Sequence, residues 1–202
     1  VAHKLSADGW IVLAVGRTES KLIETRGDDS YIHVQSGDMT VSADVKRVFE
    51  FAGKLGQLAR VVHCAASFRS VNLVDATDEQ IDSTANDLRM TLLVVRAAVK
   101  TRAVEVVLIS SFGGIPSLVL PGSTLYSASK VAMLGIGVAV RQEHPNAKLV
   151  IICPAAVDTP MGHQAATERT GTGLAEGVAL SASDVAKAIE RGLDETNATQ
   201  WV

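Results

Sequence analysis

The feature that most constrains this chain is an alternation of short, unbroken apolar runs with longer stretches of helical periodicity. Trp10 to Val15, Leu58 to Cys64, Val104 to Ile109 and Lys148 to Cys153 are apolar runs, and a briefer one covers Tyr31 to Val34. A strand with one wet face alternates polar and apolar residues; a strand covered on both faces does not. Between the runs, Val1 to Ala7, Glu19 to Thr25, Val41 to Leu55, Asp78 to Lys100, Thr124 to Glu143 and Ser183 to Leu193 read as helices. Asp8-Gly9 ends the first, and Ser183 is the expected N-cap of the last. Strands alternating with helices in this way form a parallel sheet with helices on both faces. The expected fold is therefore a doubly wound, Rossmann-like α/β domain with three α/β/α layers, spanning residues 1–202 without a linker. Asp158 to Leu180, rich in Thr and Gly, is expected to be irregular, with Met161, His163 and Gln164 forming a lid.

Composition removes several alternatives. The chain is 47% hydrophobic and 20% charged, which excludes a disordered protein. Aromatics are only 4%, so the core must be built from Ala, Val, Ile and Leu. A net charge of −3 with no basic stripe argues against a nucleic-acid or anionic-membrane partner. The longest apolar run, Val131 to Val140, is too short to span a bilayer. Cys64 and Cys153 fit no disulfide or zinc spacing and the five histidines are scattered. The expectation is a cytoplasmic protein with two reduced, buried thiols and no metal. The first residues read as the tail of a helix already under way, with no initiator Met. Residues are expected to be missing at both ends.

The chemistry concentrates at the carboxyl ends of the apolar runs. Tyr126 and Lys130 stand four apart on a predicted helix and so share a face. An ammonium ~5 Å from a phenol contributes roughly 3 kcal/mol at an effective dielectric of ~20. That would bring the phenol from ~10 toward ~8, useful for acid/base work. Ser111, just past the Val104 to Ile109 run, could donate a hydrogen bond to a substrate oxygen, with Ser110 as the alternative. Asn86, inside the Asp78 to Lys100 helix, is a polar residue on an apolar stretch.

Serine, Tyr-xxx-Lys and an upstream helical asparagine, in this order on a βα alternation, resemble the short-chain dehydrogenase/reductase family over nearly the whole chain. The resemblance implies an oxidoreductase moving a hydride between a nicotinamide dinucleotide and a small carbonyl or alcohol substrate. Tyr126 would exchange the proton, Lys130 would lower the phenol's pKa and hold the nicotinamide ribose, and Ser111 would polarise the carbonyl. Asn86 would hold a water relaying protons to Lys130. Asp38, followed by Met39, would meet the adenine. Cys64, Ala65 and Ala66 occupy the place of the family's Asn-Asn-Ala-Gly stretch, with His63 in place of an asparagine. Pro154 and Val157 to Thr159 resemble the segment along the nicotinamide. Ala66 and Ala155 stand where the family has glycine, and the family's first strand and Gly-rich phosphate loop are missing from this sequence.

Gly16 ends the second strand of that pattern where a carboxylate would favour NAD, and Arg17 follows, which points to NADP. Gly113 to Gly122 carries no charge, so an apolar substrate is the expectation there. Consecutive apolar residues along 78–100 and 124–143 predict a homodimer or homotetramer through those helices. The competing reading is a non-catalytic dinucleotide-sensing or scaffold protein on the same fold.

Overall fold

The computed structural model describes residues 1–101, 105–175 and 177–194, and the backbone of 199–201. Val104, expected to open a strand, lies outside the described residues. In chain order the elements are α1 (Ala2–Ala7), β1 (Val12–Gly16), α2 (Glu19–Arg26), β2 (Ile32–Ser36), α3 (Ser42–Leu55), β3 (Arg60–His63) and α4 (Asp78–Lys100). There follow β4 (Glu105–Ile109), α5 (Thr124–Glu143), β5 (Lys148–Cys153), α6 (Pro160–Thr170), α7 (Ala182–Asp194) and β6 (Thr199–Trp201).

Every pairing is parallel, but the strands form two sheets: β1 with β2, and β3-β4-β5-β6. Gly16 faces Ser36, His63 faces Leu108 and Ile109 faces Ile152, so within each sheet the carboxyl ends share an edge. Between the unpaired edges of β1 and β3 lies a cavity of about 650 Å³, lined by Leu13, Val15, Arg60, Val62 and Cys64. Among the described residues no strand pairs with either of these two edges.

The apolar runs behave as doubly covered strands. Val106, Leu108, Leu149, Ile151 and Cys153 pack with Val95 and Ala98 of α4 on one face. Val107, Val150 and Ile152 pack with Val185, Ala188, Ile189 and Leu193 of α7 on the other. The period-two alternation sends neighbouring residues to opposite faces, and both faces are dry. On α5, a Cβ at Gly137 would stand 2.5 Å from Ile151 Cδ1, so the helix reaches β5 only because that side chain is missing.

Two local expectations are corrected. The segment after β5 is not irregular throughout, because α6 forms within it. Thr159 Oγ1 accepts from Gly162 N–H at 3.1 Å, Pro160 occupies the first turn and Gly171 closes the helix at φ 73°. The cap of α7 is Ser181, not Ser183: its Oγ accepts from Asp184 N–H, whose carboxylate accepts from Ser181 N–H in return. Among the described residues no helix is long and apolar enough to cross a membrane.

Candidate active site

β4 ends at Ile109 and delivers two serines with different fates. Ser110 is buried and its hydroxyl donates to the Lys130 carbonyl at 2.9 Å, tying the strand end to α5. Ser111 accepts from Gly113 N–H at 3.1 Å and opens a tight turn beside Tyr126. The turn lies flat against α5 because Gly114 has no side chain: a Cβ there would stand 2.8 Å from Ser110 Oγ and 3.0 Å from the Lys130 carbonyl. Of the two candidates, Ser111 is the one placed beside Tyr126, and Ser110 braces the strand end on α5.

Tyr126 and Lys130 occupy the first two turns of α5. The Tyr126 ring meets Phe68 edge-on, 5.0 Å between centres. Lys130 is buried, its ammonium 5.7 Å from the Tyr126 ring centre and donating to the Ile109 carbonyl at 2.9 Å. The expected fall of the phenol pKa is reversed here. Burial pushes Tyr126 up, and a hydrogen bond with Ser111 and the charge of Arg169 offset this only in part. Burial lowers Lys130 to about 8, opposed by the Asp87 carboxylate and then by the thiols of Cys64 and Cys153.

Asn86 does not reach this site. It is exposed, whereas its neighbour Asp87 is buried, as is Thr91 one turn further on. One residue turns a helix by about 100°, so a slip of one exchanges an inward for an outward position. Asp87 Oδ2 accepts from Ser67 N–H at 2.8 Å and Ser67 Oγ at 2.7 Å. Beside it, the Thr91 hydroxyl donates to the Asp87 carbonyl at 2.9 Å and lies 3.1 Å from His63 Nε2. With that hydroxyl proton engaged, Nε2 is the donor. Burial first, and then the Lys130 charge, lower His63 to about 4 against the pull of Asp87, so it is neutral.

The remaining candidates line the carboxyl edge. Gly16 accepts from Gly37 N–H at 2.9 Å, and Arg17 is exposed just beyond it. Asp38 Oδ1 accepts from Thr40 Oγ1 and N–H at 2.7 and 2.9 Å; these bonds, with the Arg17 charge a lesser contribution, hold the carboxyl below its ordinary range. Met39 follows it, half-buried. Ala65 is exposed and Ala66 half-buried; Ala155 and Ala156 are exposed beyond a buried Pro154. Val157 bridges to Leu180, which keeps this segment extended, while the Thr159 hydroxyl caps α6. Cys153 is buried as expected, but Cys64 is exposed, because it lies past the end of β3 beside the unpaired edge.

Sequence reasoning also missed Ser67, Phe68 and Arg169. Arg169, in the last turn of α6, donates to Ser123 Oγ at 2.9 Å and lies over the Phe68 ring at 5.1 Å. Among the described residues no cluster of three or more His, Cys, Asp or Glu is placed to hold a metal.

The sequence profile of the family described as short chain dehydrogenase matches residues 1–170. The chain belongs to this family of oxidoreductases, whose members use nicotinamide dinucleotides and act on small molecules. No curated protein sequence matches it. Among solved structures it is similar to a short-chain dehydrogenase/reductase from Vibrio parahaemolyticus, with 26% identity and a TM-score of 0.81 over 100% of this chain and 89% of that one. It also resembles an alcohol dehydrogenase from the archaeon Thermococcus sibiricus, solved with 5-hydroxy-NADP, at 16% identity and TM-score 0.83, covering 100% and 88%. Serine dehydrogenase from Escherichia coli follows at 17% and 0.76, covering 100% and 89%. The last two likenesses concern the fold.

Proposed function

We propose that the protein reduces a carbonyl compound with NADPH, with Tyr126 as the proton donor. The observation that carries this is the Ser111–Tyr126–Lys130 set at the end of β4 and on α5, with a buried ammonium beneath a phenol that burial keeps protonated. The Lys130 ammonium, the Asp38 carboxylate and the slim edge at Ala65, Ala66, Ala155 and Ala156 suit a ribose, an adenine amino group and a flat ring. Gly16, Met39, Cys64, Pro154, Val157 and Thr159 complete that edge, and Arg17 suits a 2′-phosphate.

When bound, the dinucleotide supplies the hydride to the carbonyl carbon. Tyr126 gives its proton to the carbonyl oxygen, and Ser111 donates a hydrogen bond to that oxygen as negative charge develops. Lys130, charged below about pH 8, favours the phenolate that results. Asp87, in the place expected for Asn86, fixes Ser67 and sets the field at Lys130. A phenol held protonated suits reduction, where the proton must be present at the start.

The test is NADPH oxidation against a panel of aldehydes and ketones, with Tyr126→Phe as control. Loss of an acid/base group costs about 10²–10⁴-fold in rate. A Tyr126→Phe variant that keeps its turnover overturns the mechanism, and a kcat/KM favouring NADH overturns the role of Arg17. A second reading, a non-catalytic dinucleotide sensor or scaffold, is favoured by Ala66 and Ala155 standing where the family has glycine; coenzyme binding without turnover across the panel would establish it. Exposed apolar residues on α4 (Ile81, Leu88, Leu92) and α5 (Val131, Val138) support a homodimer or homotetramer through these helices. Sedimentation as a monomer at micromolar concentration would defeat that assignment.

A further inference from the structure

We infer that the substrate carries a carboxylate, bound by Arg169 of α6. This rests on the carbonyl-reductase reading and narrows it to oxo acids.

The Phe68 ring contacts both Tyr126 and Arg169, its centre 5.0 Å from the Tyr126 ring centre and 5.1 Å from the Arg169 guanidinium carbon. The guanidinium donates to Ser123 Oγ, and Ser123 accepts Ser127 N–H at the start of α5, so the cation is fixed to the helix that carries Tyr126. Its charge is felt at the phenol.

A guanidinium has five N–H donors, and the neutral Ser123 hydroxyl satisfies one. Among the described residues no carboxylate stands within ion-pair distance of Arg169. The adjacent Glu168 is engaged elsewhere, accepting from Ser70 N–H at 3.0 Å and Gln164 Nε2 at 2.6 Å. Asp158 is held by His163 at 2.8 Å. The Glu168 bond to Ser70 anchors α6 against residues 67–71.

The loop from Gly113 to Gly122 carries no charged residue. Three cations stand near the Phe68–Tyr126 pair: Lys130 donates to the Ile109 carbonyl and Arg69 to the Phe68 carbonyl, while the Arg169 fork matches a carboxylate with two parallel hydrogen bonds. The apolar substrate expected from that loop is revised accordingly: apolar contacts would meet the chain of the substrate and the arginine its acid group.

The experiment compares oxo acids with their methyl esters as substrates for NADPH oxidation, in wild type and in Arg169→Met, with Arg169→Lys alongside. A charge-assisted hydrogen bond predicts an acid-to-ester ratio of kcat/KM of about 10 to 100 in wild type. Arg169→Met should bring the ratio close to one, mainly through KM for the acid, and Arg169→Lys should restore part of it. A variant that merely loosens α6 would slow acid and ester alike and leave the ratio unchanged, which overturns the proposal. A rise in KM for NADPH alone assigns the arginine to a coenzyme phosphate and also overturns it. Turnover of esters without preference for acids refutes the carboxylate while leaving the reductase reading standing. No turnover of either class removes that reading, and this inference with it.

Discussion

The two sheets, each one half of the strand layer, are built from similar residues and are held very differently. In β4 and β5, Val106 to Leu108 and Leu149 to Cys153 are fully buried, with helices on both faces and a strand on each side. In β1 every residue is only half-buried, because among the described residues one edge has no partner and opens on the 650 Å³ cavity. An apolar run has the propensity for a strand in both places; neighbours alone decide how much of it is dry. The division matters for function. Ser111, Tyr126, Lys130 and Asp87 all hang from the completed half. Gly16, Arg17, Asp38 and Met39, the candidates for the adenine end of a dinucleotide, hang from the incomplete one. Proton chemistry should therefore tolerate disturbance of β1 better than coenzyme affinity does.

The strongest test of that contrast is a pair of truncations. Ile151→Ala opens a void in a packed layer and should cost about 2–5 kcal/mol. Leu13→Ala removes a side chain that is already half in water and should cost about 1 kcal/mol or less. Urea unfolding of both variants measures the difference. Equal losses would break the comparison.

A second test exploits His63, which sits at the seam. Its pKa is about 4 in the folded protein against an ordinary 6.5, so the unfolded chain binds the extra proton first as pH falls. The contribution is fully present above pH 6.5 and is lost between there and about 4. At 1.36 kcal/mol per unit, the window is worth about 3 kcal/mol. His63→Asn, which cannot titrate, should lose less stability than wild type over that range by about this amount. Parallel unfolding curves for the two proteins would show that His63 is solvated rather than locked between Thr91 and Lys130.

The same contrast explains what could be read from the sequence. The strands of the completed half were legible because a doubly buried strand is an unbroken apolar run, and Tyr126 and Lys130 were legible because four residues make one helical face. The helix α6 was hidden by its polar composition, although Thr159-Pro160 and Gly171 were its start and stop signals. Asn86 was chosen by residue type; position would have given Asp87, which precedes Met90, Thr91 and Val94 by three, four and seven residues on the buried face of α4. Arg169 could not have been found, since its role depends on Phe68, a hundred residues away in sequence.

Asp87 yields the smallest predicted effect and the most specific one. Its carboxylate opposes the burial that lowers Lys130 to about 8. Asp87→Asn keeps the side chain's shape and an oxygen for Ser67 but removes the charge. The ammonium is then less favoured, so Lys130 gives up its proton at lower pH. The alkaline limb of kcat/KM for carbonyl reduction should move down by about half a unit to one unit, as expected for losing one nearby charge in a partly screened site. The direction distinguishes two roles. A carboxylate acting only as a clamp on Ser67 would leave the limb in place and lower the plateau, whereas one that sets the field at Lys130 moves the limb itself.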